Sequence, residues 1–175
     1  MEQGLDDYRW DVPLTRQGLL QGLERMGIAT TTVEHRATFT VAESSDIDRS
    51  LPGAHTKNLF LKDAKGRLLL IVANVASAVD LNGVAKRLGM GRVSFGRPEL
   101  LMEVLGVAPG SVTVFAIAND REMRVQLVVD ETLMAYDSLN CHPLENTATT
   151  NIARDDLLRF IRATGHEPKI MALAG

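Results

Sequence analysis

The sequence predicts a single α/β domain spanning residues 1–175, with a mixed, curled β-sheet surrounded by helices. Three observations predict it. Helical and strand-like periodicities are interspersed along the chain, one hairpin is spelled out between two apolar strands, and 175 residues with 45% hydrophobic content suffice for one buried core.

In chain order, Thr15 to Met26 sets Leu19, Leu20, Leu23 and Met26 at helical spacing, and Gly27 stands where a left-handed cap ends a helix. Thr30 to Glu34, rich in threonine and valine, reads as a short strand leading to His35. Thr40 and Glu43 have capping-box spacing, so a second helix is expected there, ending before Pro52-Gly53. Lys57 to Lys62, the turn Asp63-Ala64-Lys65-Gly66, and Arg67 to Ala73 form the expected hairpin. Asp80 to Leu88 and Arg97 to Leu105 read as helices closed by Gly89 and Gly106, with a glycine-studded stretch from Gly89 to Gly96 between them. Val112 to Ala118, Val125 to Val129 and Met134 to Ser138 are expected strands. Arg154 to Thr164 is the last expected helix, before a short strand at Lys169 to Ala172. No repeat, low-complexity tract or linker divides the chain.

Composition narrows the function. One cysteine, Cys141, excludes an internal disulfide and any multi-cysteine metal site, and it fits a reducing compartment, so the cytoplasm is the expected location. The acidic N-terminus lacks the apolar core of a signal peptide, and the longest apolar run, Leu68 to Ala73, is far too short to cross a bilayer; no membrane partner is expected. A net charge of -3 argues against indiscriminate nucleic-acid binding, yet it conceals an asymmetry. Residues 57–97 carry eight bases against only Asp63 and Asp80, a balance of +6, between flanks of -4 and -5. That segment is either a polyanion footprint or an unevenly charged solvated surface.

Walker loops, GxSxG elbows, HExxH helices and dinucleotide fingerprints are missing. His35, His55, His142 and His166 stand scattered, none with a partner at i, i+4, so local spacing indicates no metal site. Cys141-His142 is a poor dyad because neighbours on an extended chain point apart, and Cys141 is better read as a small buried hydrophobe. The polar run from His142 to Asn151 is either a capped loop before the last helix or part of a site. Gly106-Val107-Ala108-Pro109-Gly110-Ser111 is either a helix terminator with a turn or a loop whose N–H groups converge on a developing oxyanion. Lys57, opening a strand, is either a solvated lysine or a cation placed to polarise a carbonyl or hold a phosphate.

Together these segments resemble the YbaK and prolyl-tRNA synthetase editing-domain family, most closely its free-standing alanine-specific branch. The resemblance runs through His35-Arg36-Ala37-Thr38-Phe39-Thr40-Val41-Ala42-Glu43, Gly53-Ala54-His55-Thr56-Lys57-Asn58-Leu59-Phe60-Leu61-Lys62-Asp63, the Gly106 to Ser111 loop, and His142-Pro143-Leu144-Glu145-Asn146-Thr147. It covers nearly the whole chain from about Gly18 onward. The Thr-Lys-Asn-Leu-Phe-Leu-Lys block is its most specific piece, and Arg36-Ala37 departs from the His-Pro that many relatives have there. The resemblance implies a hydrolase for the ester between an amino acid and the terminal adenosine of tRNA, with no cofactor and no metal. It also implies alanine-charged tRNA(Pro) as the partner and leaves prolyl-tRNA synthetase and an elongation factor open as protein partners. By resemblance, Lys57 anchors the substrate end, Asn58 is a polar contact, and the backbone of Gly106, Val107, Ala108, Pro109, Gly110 and Ser111 cradles the oxyanion and water. Phe39, Thr40, Val41, Asn146 and His142 then belong to the substrate pocket, with His142 and the Phe39 to Ala42 segment as the wall that excludes proline. Two alternatives stand beside this reading: a deacylase for serine or cysteine on tRNA, and a non-catalytic tRNA-binding module.

Overall fold

The structure is a computed structural model and describes residues 10–36 and 51–174. The expected helix capped by Thr40, and with it Phe39, Thr40 and Val41, lies outside the described residues.

The organising element is a run without a polar break. Leu68–Asn74 (β3) is buried along its whole length, because strand alternation sends Leu68, Leu70 and Val72 into one apolar cluster and Leu69, Ile71 and Ala73 into another. Each fully buried leucine contributes about 1.5–3 kcal/mol relative to exposure, so this strand pins the sheet between two cores. Ala54–Asp63 (β2) forms the hairpin with it, in the register Lys57↔Ala73 to Lys62↔Leu68. Asp63 closes the turn, accepting the N–H groups of Lys65 (3.0 Å) and Arg67 (2.8 Å), the Arg67 Nε–H (2.7 Å) and the Gly91 N–H (3.3 Å).

Val125–Asp130 (β5) runs parallel to β3 on its other side, and Pro168–Met171 (β8) runs parallel to β5 at the sheet edge. Beyond β2 lie Ser138–Cys141 (β6), Ala148–Ala153 (β7) and Thr30–Glu34 (β1), giving the order β1-β7-β6-β2-β3-β5-β8, with Val93–Phe95 (β4) paired to the far end of β2. Parallel and antiparallel pairs coexist, so the sheet is mixed as expected, and it is not closed. Arg16–Arg25 (α1), Pro98–Leu105 (α3) and Arg154–Ala163 (α4) bury their apolar residues in the larger cluster, with Phe160 edge-on to both Phe115 and Trp10. Leu81–Arg87 (α2) covers the opposite face through Val84 and Ala85.

Three expectations change. Val112 to Ala118 is not a strand: Val114–Asn119 is a 3-10 helix, opened by the Thr113 hydroxyl accepting from Phe115 N–H, and its residues Val114 to Ala118 are buried. An all-apolar run buried on every side carries no period that separates strand from helix. Met134 to Ser138 is likewise displaced, because the Asp130 carboxylate accepts from Thr132 N–H and starts the 3-10 helix Glu131–Ala135, moving the strand to Ser138–Cys141. The polar run after His142 becomes a turn followed by β7, a strand held between β1 and β6 whose hydroxyls bond across it, Thr32 Oγ1 to Thr150 Oγ1 at 2.8 Å.

Candidate active site

The candidate site is built where β2 changes partners. Ala54 and His55 pair in parallel with Leu139 and Asn140 of β6, whereas Thr56 to Lys62 pair with β3. Gly53, at φ 84°, approaches the Ser138 carbonyl so closely that any Cβ would collide with it. Side-chain amides complete the join. The buried Asn140 donates through Nδ2 to the carbonyls of Pro52 (2.8 Å) and Ala54 (3.3 Å), and Asn151 Nδ2 reaches Pro52 O (3.1 Å) and Asn140 Oδ1 (3.0 Å). Sequence reasoning missed Asn140 and placed Asn151 only at the end of a polar run, since their partners are distant in the chain and no local spacing marks them.

Alternation then sorts the side chains, because directly opposed residues of paired strands share a face. His55 and Asn140 are such a pair, and Lys57 and His142, each two residues further on, continue the same face. Thr56, Asn58 and Phe60 point the other way, Thr56 Oγ1 donating to Asn140 O at 2.8 Å and Phe60 entering the larger core. Lys57 is half-buried and donates through Nζ to Ser77 O at 2.7 Å, which spends one of its three N–H bonds. The Asn58 Oδ1 is buried and has no partner among the described residues. An open buried acceptor costs about 1–3 kcal/mol, so it favours any bound group that brings a donor.

The histidines scattered in sequence gather in space. The end of β1, β2 and the start of the β6–β7 connection supply His35, His55 and His142. The His35 and His142 rings are 6.2 Å apart, and Asn140 Nδ2 donates to His55 Nε2 at 3.4 Å. His142 Nδ1 lies 2.9 Å from Ala148 O; a carbonyl only accepts, so Nδ1 carries the proton. Burial pushes the His142 pKa down, the Ala148 carbonyl works against that, and His35 and His55 add to the fall. The ring is therefore neutral at pH 7, with Nε2 left as an acceptor. His35 donates through Nδ1 to Arg36 O at 2.6 Å, and its Nε2 is hydrogen-bonded with Thr149 Oγ1 at 2.9 Å. Among the described residues no group of three or more His, Cys, Asp or Glu is arranged to hold a metal ion. No described helix is long and apolar enough to cross a membrane.

Cys141 is buried in the larger core, and burial pushes its thiol up to about 12 against the opposing contact from the Thr56 hydroxyl. It is a packing residue. Iodoacetamide at mildly alkaline pH is expected to leave the folded protein unlabelled and to modify Cys141 fully after unfolding, read by intact mass; rapid labelling of the native state would contradict this burial.

The Gly106 to Ser111 loop follows α3. Gly106, at φ 67°, caps the helix with its N–H on Leu101 O and Met102 O, Val107 is buried in the larger core, and Ser111 N–H donates to Ala108 O at 3.0 Å. Proline has no N–H, and Val107, Ala108 and Gly110 hold N–H groups without an acceptor among the described residues, the last two exposed. α3 packs on the Asn58 side of the sheet through Leu101, Val104 and Leu105, and no hydrogen bond among the described residues joins the loop to Lys57. The structure thus brings Lys57 and His142 to one face and leaves Asn58 and this loop on the other; Asn146 sits half-exposed in the turn between β6 and β7.

The family model described as the aminoacyl-tRNA editing domain matches residues 35–160. A zebrafish (Danio rerio) relative, the prolyl-tRNA synthetase associated domain-containing protein 1, is 38% identical over 159 residues, covering 90% of this chain and 86% of its own. The prolyl-tRNA editing protein ProX of Acetoanaerobium sticklandii is 31% identical over 159 residues, covering 90% and 97%. In fold, the chain is similar to a crystal structure described as a candidate trans-editing enzyme for prolyl tRNA synthetase, with a TM-score of 0.69 at 22% identity over 91% of this chain and 97% of that one. This chain belongs to the aminoacyl-tRNA editing domain family.

Proposed function

We propose that the protein is an aminoacyl-tRNA deacylase acting in trans on tRNA(Pro) mischarged with alanine. The observation that carries the reading is the β2–β6 join, where strand alternation turns the cation Lys57 and the neutral, half-buried imidazole His142 to one face. An aminoacyl ester is already activated, so positioning and charge stabilisation suffice. Water adds to the ester carbonyl carbon, the carbonyl oxygen becomes an oxyanion, and its collapse breaks the bond to the ribose oxygen, which leaves with a proton. Lys57 holds the nucleotide end or the developing negative charge. Asn58, whose buried carboxamide oxygen lies on the other face, takes no part in this step. The Gly106 to Ser111 loop, on the other face of the sheet, takes no part in this step.

Selectivity is the harder requirement, since one missing methylene is worth only about 1–3 kcal/mol to a synthetase pocket built for proline. A second sieve must admit a methyl group and stop a ring. His142 is the described member of that wall, with Asn146 at its rim; Phe39, Thr40 and Val41, the other expected members, lie outside the described residues. The test is a panel of Ala-, Ser-, Cys- and Pro-tRNA(Pro), with alanine expected to be released fastest. Preference for serine or cysteine would move the specificity, and turnover of none would leave a tRNA-binding module. In the same assay His142→Ala is expected to narrow the alanine-over-proline ratio by about tenfold. An unchanged ratio takes His142 out of the wall.

A further inference from the structure

Phe95 is 61% exposed, the highest value among the exposed large hydrophobics of the described residues, and it sits in the most one-sided charge of the chain. Residues 81–97 contain Lys86, Arg87, Arg92 and Arg97 and no carboxylate. Arg92 and Arg97 are exposed and have no ion-pair partner among the described residues. The aromatic ring is held on a short but well-anchored strand. β4 pairs antiparallel with β2 through Leu61↔Phe95, Lys62↔Ser94 and Asp63↔Val93, and Asn82 Oδ1 of α2 accepts from Val93 N–H at 2.9 Å. At its end Gly96 N–H donates to Phe60 O at 2.9 Å, and a Cβ on Gly96 would run into the Phe60 ring at 2.5 Å. Such anchoring is more than a solvent-facing phenylalanine needs.

Register says where the ring faces. Phe95 is directly opposite Leu61, so it shares that residue's face of the sheet, which is the face of Leu59 and Lys57. Leu61 and Leu59 are packed under α2 in the smaller core, so Phe95 stands at the outer margin of that face. A flat apolar ring with cations on both sides of it in the chain suits an unpaired base, whose face stacks while its phosphates meet the charges. We propose that Phe95 is a stacking platform for a base of the unpaired 3′ tail of tRNA, with Arg92 and Arg97 on the phosphates. This rests on the deacylase reading for its substrate, but its test is a binding measurement that does not need turnover.

The affinity of uncharged tRNA(Pro), followed by fluorescence anisotropy, is compared with that of the same tRNA lacking its unpaired 3′ tail. Phe95→Ala is expected to weaken the intact tRNA by about tenfold and leave the truncated one unchanged. Phe95→Trp restores the affinity and Phe95→Leu does not, which separates stacking from mere apolar contact. On charged tRNA the loss falls on KM, with kcat kept. Equal affinity of wild type and Phe95→Ala for the intact tRNA overturns the platform even where Ala-tRNA(Pro) is hydrolysed normally. A wild type without deacylase activity whose tail-dependent binding still requires Phe95 overturns the enzymatic reading and keeps the platform.

Discussion

Lys57→Ala is expected to lower kcat/KM for Ala-tRNA(Pro) by about 10²–10³ while the protein stays folded. The two halves of this expectation come from the same geometry. Lys57 stands on the face shared with His55 and His142, so its removal takes away the charge nearest the proposed scissile ester. Its own structural contribution is one hydrogen bond from a half-buried chain to Ser77 O, worth about 0.5–1.5 kcal/mol. In a chain of this size that moves the unfolding temperature by only about 1–6 °C. Arginine is a poor substitute, because its planar fork replaces a compact ammonium at a position that reaches one carbonyl. A folded Lys57→Ala protein that hydrolyses at the parental rate would remove the lysine from the mechanism, and a fall in unfolding temperature well beyond this range would assign it to the scaffold.

The largest expected loss of stability lies far from that face. Asp120 is buried and accepts from His166 Nε2 at 2.9 Å, Arg124 N–H at 3.0 Å and Val125 N–H at 2.8 Å, tying the end of the 3-10 helix to the start of β5 and to the chain after α4. Burial by itself would raise its pKa, but the hydrogen bonds from His166, Arg124 and Val125 outweigh it and hold the carboxyl below the ordinary carboxylate value. Asp120→Ala strands these donors, and a loss of about 3 kcal/mol is expected, or about 6–12 °C in thermal unfolding. The sign of the pH dependence follows. A depressed native pKa stabilises the fold fully above the unfolded value of about 4, and the contribution is lost as pH falls through the lower native value. Acid titration of thermal stability should therefore be shallower in Asp120→Ala than in the parent, and parallel curves would show that the carboxylate is not linked to folding.

Much of this architecture was legible because its signals are local. The β2–β3 hairpin is announced by two apolar stretches around Asp63 to Gly66, and α1, α3 and α4 by apolar spacing with polar intervals. Val114 to Ala118 was not legible as helix because burial on all sides erases the polar positions that reveal a period. β7 hid for the opposite reason, since threonines and an asparagine that bond to neighbouring strands look in isolation like a loop. For the site, Lys57 and His142 could be picked out only by motif, and their common face depends on a parallel pairing of β2 with β6 that no local pattern encodes. The clustering of His35 and His55 around His142, and the clamp of Asn140 and Asn151 on Pro52, come from that pairing together with those of β7 with β1 and β6, all long-range.

Asp63 has a significance that reaches beyond its own turn. By fixing both ends of the four-residue reversal it sets the phase of β2, and in a strand phase decides sidedness. Were β2 to slide by a single position, a carboxamide would take the place of the ammonium on the face of His55, and the ammonium would be driven into hydrocarbon. A carboxylate six residues away therefore acts as the timing mark of the chemistry: lengthening the reversal is a change the surface can absorb, whereas adding one residue between Lys57 and Asp63 exchanges the inside and outside of the catalytic wall.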